Sequence, residues 1–447
     1  MLDGDSTFEK IARPDPPTYI ELALDYAHAD FFTEAVTLLE RVAVDPLASY
    51  TLGWVLEQSG QAEAADNELR RAASLPTDYC FPNRLEDVLI LEAAQRVNPA
   101  DARAPYYLGN FWYAHRRYDE AIACWERANE LDLSFATVQR NLGLAYFNKR
   151  RNPQRALRCF ERAFALNPAD ARVFFELDQL YKQLSRAPGD RLAVLQQNLD
   201  LVEQRDDLTI EYVTLLNLLG QHDEAYQHLM QRHFHPWEGG EGKVTGQYVI
   251  SLVEQTKVLI SVGDSPQAID LLMRAQVYPH SLGESKLYGA QENNIFYYLG
   301  CAYETLGDVE NARMWFERAS TGISKPTSAI YYNDQPPDMI FYQGLACSKL
   351  NRISEARSIF DKLVGYGQTH LNDEVKVDYF AVSLPDFLIF DVDLNERNRL
   401  HCHYMQALGY FGLGDSAAAK EYFDTVLTLD VNHLGATLHR RMILDRP

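Results

Sequence analysis

Gly109 and Gly143 stand 34 residues apart, and the same residue types recur in the same order around each of them, with one extra residue between Gly143 and its second small residue. Leu108-Gly109, Trp112, Ala121, Trp125 and Ala128 are answered by Leu142-Gly143, Tyr146, Ala156, Phe160, Ala163 and then Pro168. A period of this length marks a helical pair that cannot bury its apolar face alone and does so by stacking on the next pair. Small residues at 109 and 121 let the two helices of a pair approach closely. Trp112 and Trp125 fill the space beside them, and Pro168 blocks continuation of the second helix.

The rule is a small residue, a second small residue twelve later, an aromatic or leucine four beyond, and a small residue three beyond that. Ala23, Ala35, Leu39 and Val42 obey it, as do Gly53, Ala65, Leu69 and Ala72. So do Gly300, Ala312, Phe316 and Ala319; Gly344, Ala356, Phe360 and Leu363; and Ala407, Ala419, Phe423 and Val426. Weaker copies surround Ala225 with Leu229 and Ala268 with Leu272, where Val213 and Thr256 replace the first small residue, and a degenerate one surrounds Leu177 and Tyr181. Gly60, Gly220, Gly263, Gly307 and Gly414 fall between paired helices, where a positive φ closes the turn.

Period and pattern resemble the tetratricopeptide repeat. The resemblance implies an all-α fold, a right-handed α-α superhelix of about ten helical hairpins with inserted loops. It is expected as one continuous solenoid over 1–447, with regular repeats near 18–75, 105–184, 209–232, 248–279, 292–320, 338–363 and 400–432. Insertions are expected at 76–104, 185–208, 233–247 and 364–399, the first containing a helix from Leu85 to Val97.

Function is bounded first by charge. Lys and Arg total 42 against 63 Asp and Glu, a formal charge of -21, which repels phosphate backbones and anionic lipid and argues against nucleic acid. The basic strip Lys149, Arg150, Arg151, Arg155 and Arg158 reads as a solvated helix end. Six dispersed cysteines without a Cys-x-x-Cys pair fit reduced thiols and a cytoplasmic setting. No apolar run reaches membrane-spanning length, so no membrane association is expected.

The interruptions carry the candidate sites. His233-Phe234-His235-Pro236-Trp237-Glu238-Gly239-Gly240-Glu241-Gly242-Lys243 offers an aromatic plate, two carboxylates, an ammonium and imidazoles on a glycine-rich backbone. One reading is a binding loop in which His235, Trp237, Glu238, Glu241, Lys243 and the nearby Gln247 make contacts. The other is a structural loop anchored by Trp237. Tyr331, Tyr332, Asn333 and Asp334 form a second group, with Asp338 placed to cap the next helix, and Asp378 belongs to the last insertion. The Gly-x-x-x-x-Gly-Lys-Ser/Thr phosphate loop is absent. His401 and His403 alternate on a helix and cannot share an ion, so neither metal nor cofactor is expected.

Cys80-Phe81-Pro82, the Trp237 to Lys243 loop, Tyr332-Asn333-Asp334 and Asp378-Tyr379-Phe380 together resemble a group of large bacterial proteins. In these, a carbohydrate-related domain of unknown function precedes a C-terminal repeat array. The resemblance implies that this chain is the repeat half of a longer protein in a sugar-related setting.

The function expected is a non-catalytic scaffold whose groove and Trp237–Lys243 loop hold a protein partner or the upstream domain. A carbohydrate or small-ligand module is the alternative. An enzyme acting on glycosides through Glu238 or Glu241 comes third, because no motif demands chemistry.

Overall fold

The computed structural model describes residues 10, 12–13, 15–328, 334–376 and 389–444. The described residues form helices joined by turns and loops, and they divide into two compact units, Met1–Pro168 and Ala169–Pro447. The sequence reads as one continuous array; the contacts partition it at the proline that ends the second clear repeat.

The first unit contains α1 (Pro16–His28), α2 (Phe32–Glu40), α3 (Pro46–Gln58), α4 (Ala62–Ala72), α5 (Leu85–Val97), α6 (Arg103–Ala114), α7 (Tyr118–Leu131), α8 (Ala136–Asn148) and α9 (Pro153–Leu166). Helix α5 has the bounds expected of it, and it packs against both α3 and α6. Asp87 fixes its start by accepting from the amides of Asn83 and Arg84 at 2.8 and 2.9 Å.

In the second unit, α10 (Ala171–Gln183) pairs across a turn with α11 (Pro188–Gln196), followed by the single turn α12 (Leu199–Val202). Then come α13 (Asp206–Leu219), α14 (His222–Met230), α15 (Lys243–Ser261), α16 (Ser265–Ala275), α17 (Asn293–Thr305) and α18 (Val309–Ala319). The last five are α19 (Pro337–Lys349), α20 (Ile353–His370), α21 (Leu394–Leu413), α22 (Ser416–Leu429) and α23 (Leu434–Leu444).

The small-to-large rule is the packing rule. A methyl group on Gly109 would lie 2.3 Å from the Trp125 ring, on Gly143 2.6 Å from Phe160, on Gly300 2.5 Å from Phe316 and on Gly344 2.4 Å from Phe360. Each glycine therefore seats the large residue sixteen or, for Gly143, seventeen later, which is fully or nearly buried. Trp125 takes the filling role expected of both tryptophans. Trp112 is half-exposed, with the Arg117 guanidinium 4.4 Å above its ring.

Hairpins close on a left-handed residue throughout: Asp30, Gly60, Arg116 and Arg151 in the first unit, and Ser185, Gly220, Gly263, Gly307, Asn351 and Gly414 in the second. All five turn glycines named from the sequence have φ between 76° and 86°. Four and six such turns make the ten hairpins that the spacing implies.

All four expected insertions hold helix: α5 in the first and the start of α15 in the third, with more in the other two. Residues 185–208 contain α11, whose buried Arg191 donates to Asp178 at 2.6 and 3.0 Å, so an ion pair joins α10 and α11 where other hairpins use a ring on glycine. In 364–399, α20 continues to His370 and α21 starts at Leu394. Glycines allow the close crossing of these long helices: a methyl on Gly412 would lie 2.2 Å from Phe360 and one on Gly367 2.5 Å from the Cys402 carbonyl.

Candidate functional site: the inner face of the first helices

In the second unit α13, α15, α17, α19 and α21 are the first helices of successive hairpins. Helix α23 is 11 residues long, about 16 Å. It nevertheless touches four of those helices. The Arg441 guanidinium donates to the Leu218 carbonyl of α13 at 2.7 Å. The hydroxyls of Tyr298 on α17 and Tyr342 on α19 approach the Met442 sulfur at 3.8 and 4.0 Å. His439 packs on the rings of Phe341 and Tyr342, and its Nδ1 lies 3.1 Å from the Tyr404 hydroxyl of α21. A helix so short reaches residues 218 and 404 only if the first helices curve around it. The chain's own last helix occupies the inner side of that curve.

The turn before α23 is tied down as well. Asn432 accepts from Arg191 at 2.7 Å, and Arg191 is held in turn by Asp178 and by Glu211 at 3.2 Å. Glu211 also receives Lys182 at 3.0 Å. Burial works against the Glu211 charge, yet Lys182 and Arg191 prevail and hold its carboxyl down at about 2.

Under α23 the face is polar. Lys257 pairs with Glu254 at 2.5 Å and lies 5.3 Å from the centre of the Tyr298 ring. Burial raises the Asp338 carboxyl to about 6, against the pull of its own and the Met339 amide and of Lys257. Asp338 thus sits in the first turn of α19, while the cap position is held by Pro336. Burial likewise keeps His439 neutral, its pKa lowered to about 3, with Nδ1 donating to the Gly435 carbonyl at 2.7 Å. Asn217, Gln247, Ser251 and His222 form an adjoining network: Asn217 Nδ2 donates to Gln247 Oε1 at 2.9 Å and to Ser251 Oγ at 3.0 Å, and His222 Nδ1 lies 2.9 Å from Asn217 Oδ1. Gln247 is the one residue of its predicted group found there.

The glycine-rich loop is anchored elsewhere. The Phe234 amide donates to the Ser281 carbonyl at 2.8 Å, and Glu284 accepts from the Gly242 amide at 3.0 and 3.1 Å, capping α15 from a distant segment. The His235 amide donates to Asp206 at 2.9 Å while its ring stays 84% exposed. Trp237 folds back on its own loop, where a methyl on Gly240 would lie 2.2 Å from the indole. Glu238, Glu241 and Lys243 are exposed.

Asp334 is half-buried, close enough to Tyr366 and His401 to act on the titration of both. Tyr331, Tyr332, Asn333 and Asp378 lie outside the described residues. His401 Nε2 binds the Thr327 carbonyl at 2.9 Å, and Cys402 between the two histidines is buried.

The residues beneath α23 share a register. Tyr298, Tyr342 and Glu254 come two residues before the small position of their repeat, and Lys257 one after it. Carried to the glycine repeats of the first unit, this register gives Thr51, Trp54, Tyr107, Asn110, Asn141 and Leu144, of which Thr51 and Tyr107 are buried and Asn110 and Asn141 are half-buried amides. Asn110 Oδ1 accepts from Asn141 at 3.3 Å and from the Trp125 indole at 3.1 Å, and Arg140 donates to Asn141 Oδ1 at 3.3 Å. The second unit therefore presents a polar, aromatic-flanked stripe along its first helices, and the first unit a polar pair, Asn110 and Asn141, beside Trp125. The repeat register marks the buried positions in the sequence; the stripe, one or two residues away from them, carries no comparable signal.

Stacked helical hairpins with such a stripe define a helical-repeat protein. Tetratricopeptide repeat models match residues 90–128 and 113–154 and residues 294–321 and 400–433, and the chain is an all-α tetratricopeptide-repeat solenoid in fold class. Among solved structures it is similar to YrrB, described as a TPR protein with an unusual peptide-binding site, at 20% identity over 51% of this chain and 90% of that one, TM-score 0.29. It is also similar to Pseudomonas aeruginosa pilF at 21% identity over 48% and 89%, TM-score 0.28. For MamA of Desulfovibrio magneticus RS-1 the values are 17% identity, 43% and 97%, and 0.26.

Proposed function

We propose that this chain is a non-catalytic scaffold that holds protein segments along the inner faces of its first helices. One observation carries the reading: α23 already lies on that face in the second unit, so its shape and donors accept a helix. The pair Asn110 and Asn141 supplies the equivalent amides in the first unit. Side-chain amides and tyrosine hydroxyls that both donate and accept suit a peptide backbone. The Trp237 loop supports the scaffold by fixing the start of α15, with Glu238, Glu241 and Lys243 on its outer rim. A carbohydrate occupant at Trp237 would have to use the indole face turned away from Gly240.

Affinity capture from source cells with the full chain, run beside an Asn110→Ala/Asn141→Ala variant and a glycan array, tests this. The expected outcome is a protein captured by the parent and depleted at least several-fold with the variant, whose melting temperature stays close to the parent's. Glycan binding lost in Trp237→Ala, with no protein captured, would overturn it in favour of the carbohydrate module.

A further inference from the structure

Resting on the scaffold reading, we infer that the inner face of the second unit is a receptor for a short basic amphipathic helix of a partner protein, and that α23 is its exchangeable resident.

The way α23 is held argues for exchange. Of its 11 residues only Ala436, Leu438 and His439 are buried, and Leu444 at its end is 61% exposed. His439 is its one firmly seated side chain, on Phe341 and Tyr342 and 3.1 Å from the Tyr404 hydroxyl, and Arg440 pairs with Asp424; its C-terminal half beyond them is held to the first helices by one guanidinium on one carbonyl and by two hydroxyls on one sulfur at the long end of such interactions.

The face beneath argues for a ligand. A surface meant only to be sealed would be apolar, because every buried polar group needs a partner. Here Glu254, Lys257 and Asp338 lie among Tyr298, Tyr342 and Tyr404, so the face remains compatible with water when uncovered.

The occupant's chemistry is read from α23. Leu438 is buried, Arg441 donates to the Leu218 carbonyl near the C-terminal end of α13, and Met442 lies between the hydroxyls of two tyrosines, while Arg440 pairs with Asp424 of α22 at 2.5 Å. A cation at the C-terminal end of α13 also meets the negative pole of that helix. With a formal charge of -21 on the whole chain, a partner helix presenting a leucine, with arginine three and methionine four residues later on the same face, is complementary. A segment of that kind competes with α23 for the same contacts, and the resident lowers apparent affinity by the fraction of time it is seated.

The test uses the full chain. Arg441→Glu/Met442→Ala removes the two distal attachments of α23, and a labelled peptide of residues 430–444 is the probe. The expected result is binding about tenfold tighter to the variant than to the parent, lost when the peptide itself carries the same two changes, with the variant's main melting transition preserved. Hydrogen exchange in the parent should be faster in α23 than in α17. Collapse of the variant's melting transition, or a folded variant with no gain in peptide binding, would overturn the inference by making α23 a fixed cap. A variant that dimerises without taking peptide would overturn it in favour of a second copy's α23. In each of these cases capture through Asn110 and Asn141 would still stand or fall separately.

Discussion

Gly109 and Trp125 show how one missing methyl group sets a repeat. A Cβ at 109 would overlap the indole at 2.3 Å, and Gly109→Ala should destabilise the first unit by about 1–3 kcal/mol as overpacking, read by chemical denaturation. Gly246 on α15 is the contrasting case, with no neighbouring atom within 4 Å of the place a methyl would take; Gly246→Ala should stabilise by about 0.5–1 kcal/mol through helix propensity. His439 gives the pH dependence. Its folded pKa, about 3, lies below the unfolded value of about 6.5, so the unfolded chain takes up a proton first as pH falls. Its contribution is complete above pH 6.5 and is lost progressively toward pH 3, roughly 2 kcal/mol by pH 5. Melting followed from pH 7 to 5 should show this decline, with a shallower slope in His439→Leu. The packing glycines were legible because their spacing follows the helical period. Tyr298 and Tyr342 were not, because their importance depends on what lies across them, and α23 comes from 100 residues or more along the sequence.

Hairpins are the elements, and their turns were legible wherever glycine occupies them. Asp30, Arg116, Arg151, Ser185 and Asn351 take the same left-handed conformation without that signal. Ser185 at φ 54° bears the steric cost, so Ser185→Gly should raise the melting temperature, corresponding to about 0.5–1 kcal/mol. The hairpin α10–α11 hid from the repeat pattern because a buried ion pair replaces the ring on glycine. Arg191→Ala leaves the buried Asp178 without its ion-pair partner, while Glu211 keeps Lys182, and should cost about 3–5 kcal/mol, seen as a lower denaturant midpoint. The loop at 233–247 stood out by composition. Composition reports that glycines and a tryptophan share a loop, but only geometry shows the indole spent on Gly240 and Glu284 capping the next helix.

At the scale of the molecule, ten hairpins and a charge of -21 give an acidic support with a polar pair, Asn110 and Asn141, and a polar stripe covered by α23. No helix among the described residues is long and apolar enough to cross a membrane. The fold class was legible in full, since each repeat states it again; the occupied inner face was not, since it joins segments far apart in sequence. Photo-crosslinking in source cells tests the scaffold most directly, with the crosslinker placed at Asn141 or Leu144 on the first helix α8 and at Glu130 on a second helix. The account predicts the same protein adduct from the first two positions and none from the third. Adducts from Glu130 alone, or from no position while the chain binds glycans, would contradict it.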